Sequence, residues 1–133
     1  MKKSKSKEAD NKMLTDVELE LMTILWRLDE GSVADVIEGL PKGRDLAYTS
    51  VSTILRILQQ KGVLKTRKEG RGYIYIPEIQ KSDYEVKTLK HMVNRVFDGT
   101  PVALVRQLLD SVHLDEKSIA ELKDMINRAK GKK

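Results

Sequence analysis

The chain has 133 residues, a formal net charge of +5 and no cysteine, a size typical of one domain or of one small domain with an accessory module. The absence of cysteine excludes disulfide bonds, thiolate nucleophiles and cysteine-ligated metals. No apolar run approaches the roughly 20 residues that span a bilayer, and none follows the lysine-rich start as it would in a signal peptide. These features predict a cytoplasmic protein without membrane insertion.

The charge is distributed unevenly along the chain. Residues 1–12 carry a net charge of +3, residues 13–40 carry −6, and residues 41–77 carry +6. We expect residues 1–12 to form a disordered basic arm. A strongly basic segment beside a strongly acidic one indicates contact with a polyanion. The alternative is a solvated face whose charges cluster by chance.

The first half of the chain predicts three helices. Thr15-Asp16-Val17-Glu18 matches a capping box, in which two side chains satisfy free amides at a helix start. Apolar residues then recur at helical spacing up to Leu28, and Gly31 is expected to end this helix. Ser32 can cap a second helix that extends to about Leu40. A third helix is predicted from Tyr48 to Lys61, ending at Gly62.

The period then changes to that of strands. Two β-prone runs, residues 63–68 and 72–76, flank Glu69-Gly70-Arg71-Gly72, whose glycines suit a hairpin turn. Three more helices are predicted in the last third, with start signals at Ser82, at Thr100-Pro101 and at Asp115. The predicted fold is mainly α with a small β-hairpin. It comprises a winged helix-turn-helix over residues 13–78 and a helical dimerisation region over residues 82–128.

The third helix has two chemically different faces. Its core face is expected to contain Val51, Ile54, Leu55 and Leu58. The opposite face carries short hydroxyl-bearing side chains and an arginine: Thr49, Ser52, Thr53 and Arg56. Small polar side chains permit close approach to a DNA groove, and arginine can donate two parallel hydrogen bonds to guanine. An ordinary solvated helix face more often carries Glu/Lys pairs. This face therefore predicts DNA recognition.

The hairpin adds cations that could neutralise phosphates, namely Lys65, Arg67, Lys68 and Arg71. Tyr75 is expected to pack across the strands, whereas Tyr73 could either do the same or contact DNA. The predicted DNA-binding residues are Tyr48, Thr49, Ser52, Thr53, Arg56, Arg67, Arg71 and Tyr73.

Other classes of function fit less well. A protein-interaction module would favour an apolar outward face on the third helix. An enzyme would need a nucleophile–base pair, a glycine-rich phosphate loop or a metal-ligand cluster, and the sequence offers none. We therefore predict no catalytic residue, no cofactor and no metal site. The two histidines, His91 and His113, are interpreted as surface or core residues.

Three segments of the chain resemble a known family. Residues 46–64, the wing segment 69–75 and the opening segment 14–26, including Trp26, are similar to the penicillinase-repressor family of the BlaI/MecI type. The resemblance covers residues 14–126. The cysteine motif of the family's copper-responsive branch is missing, so copper sensing is not expected.

The resemblance implies a homodimer with interlocking C-terminal helices and an operator DNA with dyad symmetry. It also implies repression of β-lactamase or resistance genes, or of cell-envelope stress genes, relieved when a membrane-bound sensor metalloprotease triggers cleavage in the C-terminal region. The family's Asn-Phe cleavage point aligns with Gln107-Leu108 here. Another regulon with a different inducer is the alternative.

The C-terminal helices independently suggest a dimer, because each has an apolar face too small to form a core alone. The predicted dimerisation residues are Val86, Leu89, Val93, Val96, Leu104, Val105, Leu108, Ile119, Leu122 and Ile126. In the alternative, these faces fold back on the N-terminal domain.

Overall fold

The computed structural model describes residues 13–130, which fall into two compact units divided after Leu89. The predicted basic arm, residues 1–12, lies outside the described residues. The elements run in the order α1 (Asp16–Leu28), α2 (Val33–Glu38), α3 (Tyr48–Gln60), β1 (Leu64–Glu69), β2 (Gly72–Pro77), α4 (Lys81–Val96), α5 (Pro101–Ser111) and α6 (Glu116–Lys130). The prediction of a mainly helical fold with one small hairpin is confirmed.

Side-chain caps fix the start of several helices. At α1 the Glu18 amide donates to the Thr15 hydroxyl, and the Thr15 amide donates to the Glu18 carboxylate over 2.9 Å. Ser32 and Asp35 form a second capping box at α2. Pro101 occupies the start of α5, and the Ser118 amide donates to the Asp115 carboxylate at α6. These start signals act through neighbouring residues alone, and each is confirmed.

Two predicted boundaries were wrong. The helix α1 ends at Leu28, and its cap is Asp29 rather than Gly31; Asp29 has a φ of 76°, in the left-handed region, and its amide donates to the Leu25 carbonyl. Gly31 has another role, since it exchanges two backbone hydrogen bonds with Tyr75 of β2. The helix α4 begins at Lys81, so Ser82 lies inside its first turn rather than at its cap.

The core of the first unit lies between α1, α2, α3 and the hairpin. Its fully buried side chains are Leu21, Met22, Leu25, Val36, Val51, Leu55, Leu58 and Leu64. Most of them come from the apolar faces that helical spacing predicts, but Met22 lies off the predicted face of α1 and Leu64 belongs to β1. Leu28, at the end of α1, is 41% exposed. Burying these side chains is the main favourable contribution to the stability of this unit, at about 1.5–3 kcal/mol each.

Trp26 connects α1 to the segment that follows the hairpin. Its indole N–H donates to the Ile79 carbonyl over 2.9 Å, and its ring centroid lies 5.8 Å from that of Tyr84. The Tyr84 hydroxyl in turn accepts from the Leu14 amide over 3.1 Å. The first unit therefore includes the first turns of α4 as well as the hairpin. The sequence-based boundaries at residues 78 and 82 stay predictions.

The second unit contains the last residues of α4 together with α5 and α6. Among its described residues, no side chain is buried. Its helices nevertheless carry apolar faces, and Val96, Val105, Ile119 and Ile126 are between 40% and 66% exposed.

Candidate nucleic-acid interface

The helix α3 presents a polar face to solvent. Thr49, Thr53 and Arg56 are exposed and Ser52 is half-buried, while Val51, Leu55 and Leu58 on the other side are fully buried. The helix contains no acidic residue from Tyr48 to Gln60. Tyr48 is 60% exposed at its first turn, and Ile57, which sequence reasoning had not placed outside, is 39% exposed. This face allows close approach of a polyanion without a repelling carboxylate of its own.

The hairpin stands beside α3 and has two faces, because side chains alternate along a strand. Leu64 and Tyr75 are buried, and Thr66 accepts a hydrogen bond from the Gln59 amide of α3 over 3.3 Å. This side of the hairpin therefore faces α3. By alternation and by the register that pairs Lys68 with Tyr73, both of these residues project to the same side at its exposed tip. We call Thr66, Lys68, Tyr73 and Tyr75 the helix-facing side of the wing.

The opposite side, which we call the outer side of the wing, contains Lys65, Arg67 and Glu69. The Arg67 guanidinium donates to both carboxylate oxygens of Glu30, over 3.2 and 2.9 Å, and to Glu69 over 3.1 Å. The hydrogen bonds to Glu30 and then to Glu69 raise the pKa of Arg67, and the bond from Arg67 lowers the pKa of Glu30. Arg67 is thus paired in the free protein.

The phenol of Tyr75 connects the wing electrostatically to α3. Burial raises its pKa, while the Arg56 guanidinium favours the charged form and the phenols of Tyr48 and Tyr73 oppose it. Arg56, Tyr48 and Tyr73 therefore each lie within electrostatic range of the Tyr75 phenol. The exposed face of α3 and the helix-facing side of the wing form one surface.

The structure brings most of the predicted DNA-binding residues to this surface. Thr49, Ser52, Thr53 and Arg56 are on α3, Tyr48 begins it, and Tyr73 is 50% exposed on the wing. Arg71 is exposed in the hairpin turn, where Gly70 adopts a φ of 61°. Arg67 is the exception, since it lies on the outer side. Tyr75 is buried in the core of the first unit, whereas its packing across the strands stays a prediction.

Sequence reasoning missed Glu30 as the partner of Arg67. The two residues are 37 positions apart, and no local pattern connects them. Lys68 was recognised as basic but was not selected above its neighbour Arg67. Strand alternation could have placed the two on opposite sides, although it could not show which side faces α3.

Residues 13–130 lack two other kinds of feature. No helix in this range is long and apolar enough to cross a membrane. The same residues contain no group of three or more histidine, aspartate or glutamate side chains arranged to hold a metal ion.

Comparison with known proteins identifies the family. A profile described as penicillinase repressor matches residues 14–128. The penicillinase repressor of Bacillus licheniformis is 34% identical over 121 residues, which cover 90% of this chain and 94% of that protein. The chain belongs to the penicillinase repressor family. The methicillin resistance regulatory protein MecI of Mammaliicoccus sciuri is 28% identical, covering 90% of this chain and 98% of that protein.

Among solved structures, the DNA-binding domain of the repressor BlaI is 35% identical to this chain. The alignment covers 56% of this chain and 90% of that one, with a TM-score of 0.49. The predicted family is confirmed by the sequence relatives. At the level of the family, the function is that of a DNA-binding transcriptional repressor, which is a non-enzymatic role.

Proposed function

We propose that this chain is a homodimeric transcriptional repressor that acts in the cytoplasm and binds a dyad-symmetric operator through α3 and the wing. The observation that carries the proposal is the exposed face of α3. It is free of acidic side chains, it carries Thr49, Thr53 and Arg56, and it is continuous with a basic wing. In a winged helix-turn-helix, such a helix enters the major groove while the hairpin lies along the backbone.

The two parts would contribute different interactions. Arg56 can donate two hydrogen bonds to a guanine edge, and the hydroxyls of Thr49, Ser52 and Thr53 can bond base edges or phosphates. The cations of the wing neutralise phosphates, which adds affinity but little sequence information. Specificity is therefore assigned to α3 and a large share of the affinity to the wing.

Exposed apolar side chains support the dimer. Within the described part of α4, α5 and α6 no residue is buried. Several of the predicted dimerisation residues are 40% or more exposed in the single chain, including Val86, Leu89, Val96, Leu108 and Ile126. A soluble monomer rarely leaves such apolar area in contact with water. A second copy would cover it with the same surface, and a two-fold pair would present two α3 helices to two half-sites.

The names of the relatives support a role in resistance to cell-wall antibiotics, since they are a penicillinase repressor and a methicillin resistance regulatory protein. We extend the proposal to a β-lactamase, resistance or cell-envelope stress regulon, with relief by proteolysis after activation of a membrane-bound sensor metalloprotease. Gln107 and Leu108 lie inside α5, and the Gln107 carbonyl accepts from the Ser111 hydroxyl. Cleavage at this bond therefore requires α5 to unwind locally.

The proposal is tested by titrating the full chain against a duplex that covers the region upstream of its own gene, and against a scrambled duplex of equal length. We expect tighter binding to the upstream duplex. The logarithm of the binding constant should also fall linearly with the logarithm of salt concentration, because phosphate neutralisation releases counterions. Equal affinity for both duplexes, or binding without a salt slope, would contradict the repressor.

A further inference from the structure

We propose that, of the two sides of the wing strands, only the helix-facing side contacts DNA, with Lys68 and Tyr73 as the contacting residues beside Arg71 in the turn, and that Arg67 is a positioning residue that holds the wing through Glu30. This inference rests on the proposed function, because it assigns roles within the same DNA-binding surface. It replaces the expectation that Arg67 binds phosphate.

The side chains of Lys68 and Arg67 point in opposite directions from β1. Thr66 is bonded to Gln59 of α3, which shows which side of β1 faces that helix. Lys68 lies two residues further along the same strand and therefore projects to the same side, whereas Arg67 projects to the other. A duplex that lies along the exposed face of α3 meets the helix-facing side of the wing first.

The two cations also differ in their partners. Among the described residues, Lys68 has no ion pair, and its register partner Tyr73 is 50% exposed with a hydroxyl that can donate to a phosphate. The donors of Arg67 are instead directed to Glu30 and Glu69 in a forked arrangement. A phosphate contact by Arg67 would require these hydrogen bonds to be exchanged.

Glu30 lies beside the segment that pairs with the hairpin. It immediately precedes Gly31, which is hydrogen-bonded to Tyr75 on β2. The ion pair of Arg67 with Glu30 thus joins β1 to the segment that already pairs with β2. Two connections to the same segment fix the orientation of the hairpin relative to α1 and α2. Arg67 would then act on DNA binding only through the placement of Lys68 and Tyr73.

The test compares two variants of the full chain that differ in which side of the wing they change. Lys68→Gln removes a cation from the helix-facing side. The double variant Glu30→Gln/Arg67→Gln removes the ion pair from the outer side without changing the net charge or leaving Glu30 unpaired. Binding to the upstream duplex and to a scrambled duplex is measured from low to high salt for each variant and for the wild type.

The slope is that of the logarithm of the binding constant against the logarithm of salt concentration. We expect Lys68→Gln to make this slope shallower by about 1.8, because a dimer loses two phosphate contacts at about 0.9 each. The double variant should keep the wild-type slope, because Lys68 still reaches its phosphate in the complex. It should nevertheless bind both duplexes more weakly, and its β1 amides should exchange faster with solvent in the free protein. The single variant Glu30→Gln should also keep the slope, whereas a rise would mean that Glu30 withholds Arg67 from a phosphate. Tyr73→Phe should weaken binding to both duplexes by a similar factor.

The inference is overturned if the double variant loses as much slope as Lys68→Gln, if Lys68→Gln keeps the wild-type slope, or if Glu30→Gln raises it. These results leave specific binding by the wild type intact and therefore leave the proposed function standing. A wild-type chain that binds neither duplex would instead overturn the repressor proposal, and the assignment of the wing with it.

Discussion

Lys61, at the end of α3, donates through its ammonium to the Glu18 carboxylate at the start of α1 over 2.7 Å. Glu18 is only 6% exposed and also accepts from the Thr15 amide over 2.9 Å. Burial raises the pKa of the Glu18 carboxyl, but the hydrogen bonds from Lys61 and Thr15 and the charge of Lys61 outweigh it. The net pKa is therefore lower than the 4.5 of an unperturbed glutamate. One carboxylate thus caps α1 and connects it to α3.

This pair predicts a pH-dependent contribution to stability. Glu18→Gln should lower the free energy of unfolding at pH 7 by roughly 1–2 kcal/mol, since a hydrogen bond to a charged group is lost in a mostly buried place. Because the folded pKa lies below the unfolded one, the contribution of Glu18 is fully present above the unfolded value and is lost as pH falls through the folded value. The difference between wild type and variant should shrink from about pH 5 downward.

Chemical denaturation between pH 7 and pH 3 measures this difference. Glu20→Gln is the matched control, because Glu20 pairs with Arg44 at the surface and both side chains are more exposed. Its effect should be smaller than that of Glu18→Gln at pH 7. A difference for Glu18→Gln that stays constant down to pH 3 would contradict the account.

Gly39 lies where α2 packs against α1. A methyl group added there would lie 2.6 Å from Cγ2 of Ile24, which is a buried core atom. We expect Gly39→Ala to destabilise the protein by about 1–3 kcal/mol, as overpacked cores do. Gly72→Ala is the control, because the added methyl group meets no atom within 4 Å. Thermal melting should show a lower midpoint for Gly39→Ala only, and equal midpoints would contradict the packing described here.

Asp29 ends α1 with a φ of 76°, a conformation that costs energy for any residue except glycine. Its negative charge also lies at the carboxyl end of a helix, where a carboxylate is unfavourable. Asp29→Gly should therefore raise the free energy of unfolding by roughly 0.5–1 kcal/mol. Asp29→Asn separates the two causes, because it removes the charge and keeps a side chain. Urea denaturation measures the free energy of unfolding of both variants and so separates the strain from the charge. A loss of stability in Asp29→Gly would show that the strain is absent.

Val96 is 66% exposed at the end of α4 and belongs to the proposed dimer interface. Val96→Asp should leave the helical content unchanged and weaken the dimer at least about 10-fold, because dimerisation would bury an unpaired charge. Asn94→Asp adds the same charge two residues earlier at an exposed polar position and is the control. Sedimentation equilibrium measures both dimers. Equal dissociation constants would show that this face of α4 is not in the interface.

The features that sequence reasoning predicted well are local. Thr15, Ser32 and Asp115 cap helices through residues three positions away, and the buried face of α3 follows from the helical period. Features that depend on distant partners were missed. Gly31 was taken as a helix stop, but it pairs with Tyr75, 44 positions later, and this pairing exists only after the hairpin has docked.

The same distinction applies to the candidate site. The composition of α3 was sufficient to select Thr49, Thr53 and Arg56, because the core face of a helix determines its outer face. For the wing, the sequence alone could not show which side faces the DNA. Its two sides both carry cations, and the contact of Thr66 with Gln59 and of Arg67 with Glu30 was needed to distinguish them.

The central claim is that the exposed face of α3 reads the DNA sequence while the wing binds the backbone. The most direct test is the ratio of affinities for the upstream and scrambled duplexes in Arg56→Ala and Arg71→Ala, which remove the same charge from the two parts. The account predicts that Arg56→Ala reduces this ratio about 10- to 100-fold, the range expected for a lost arginine–guanine pair. Arg71→Ala should weaken binding to both duplexes equally and keep the ratio. The claim would be contradicted if Arg56→Ala left this ratio unchanged, or if Arg71→Ala reduced it instead.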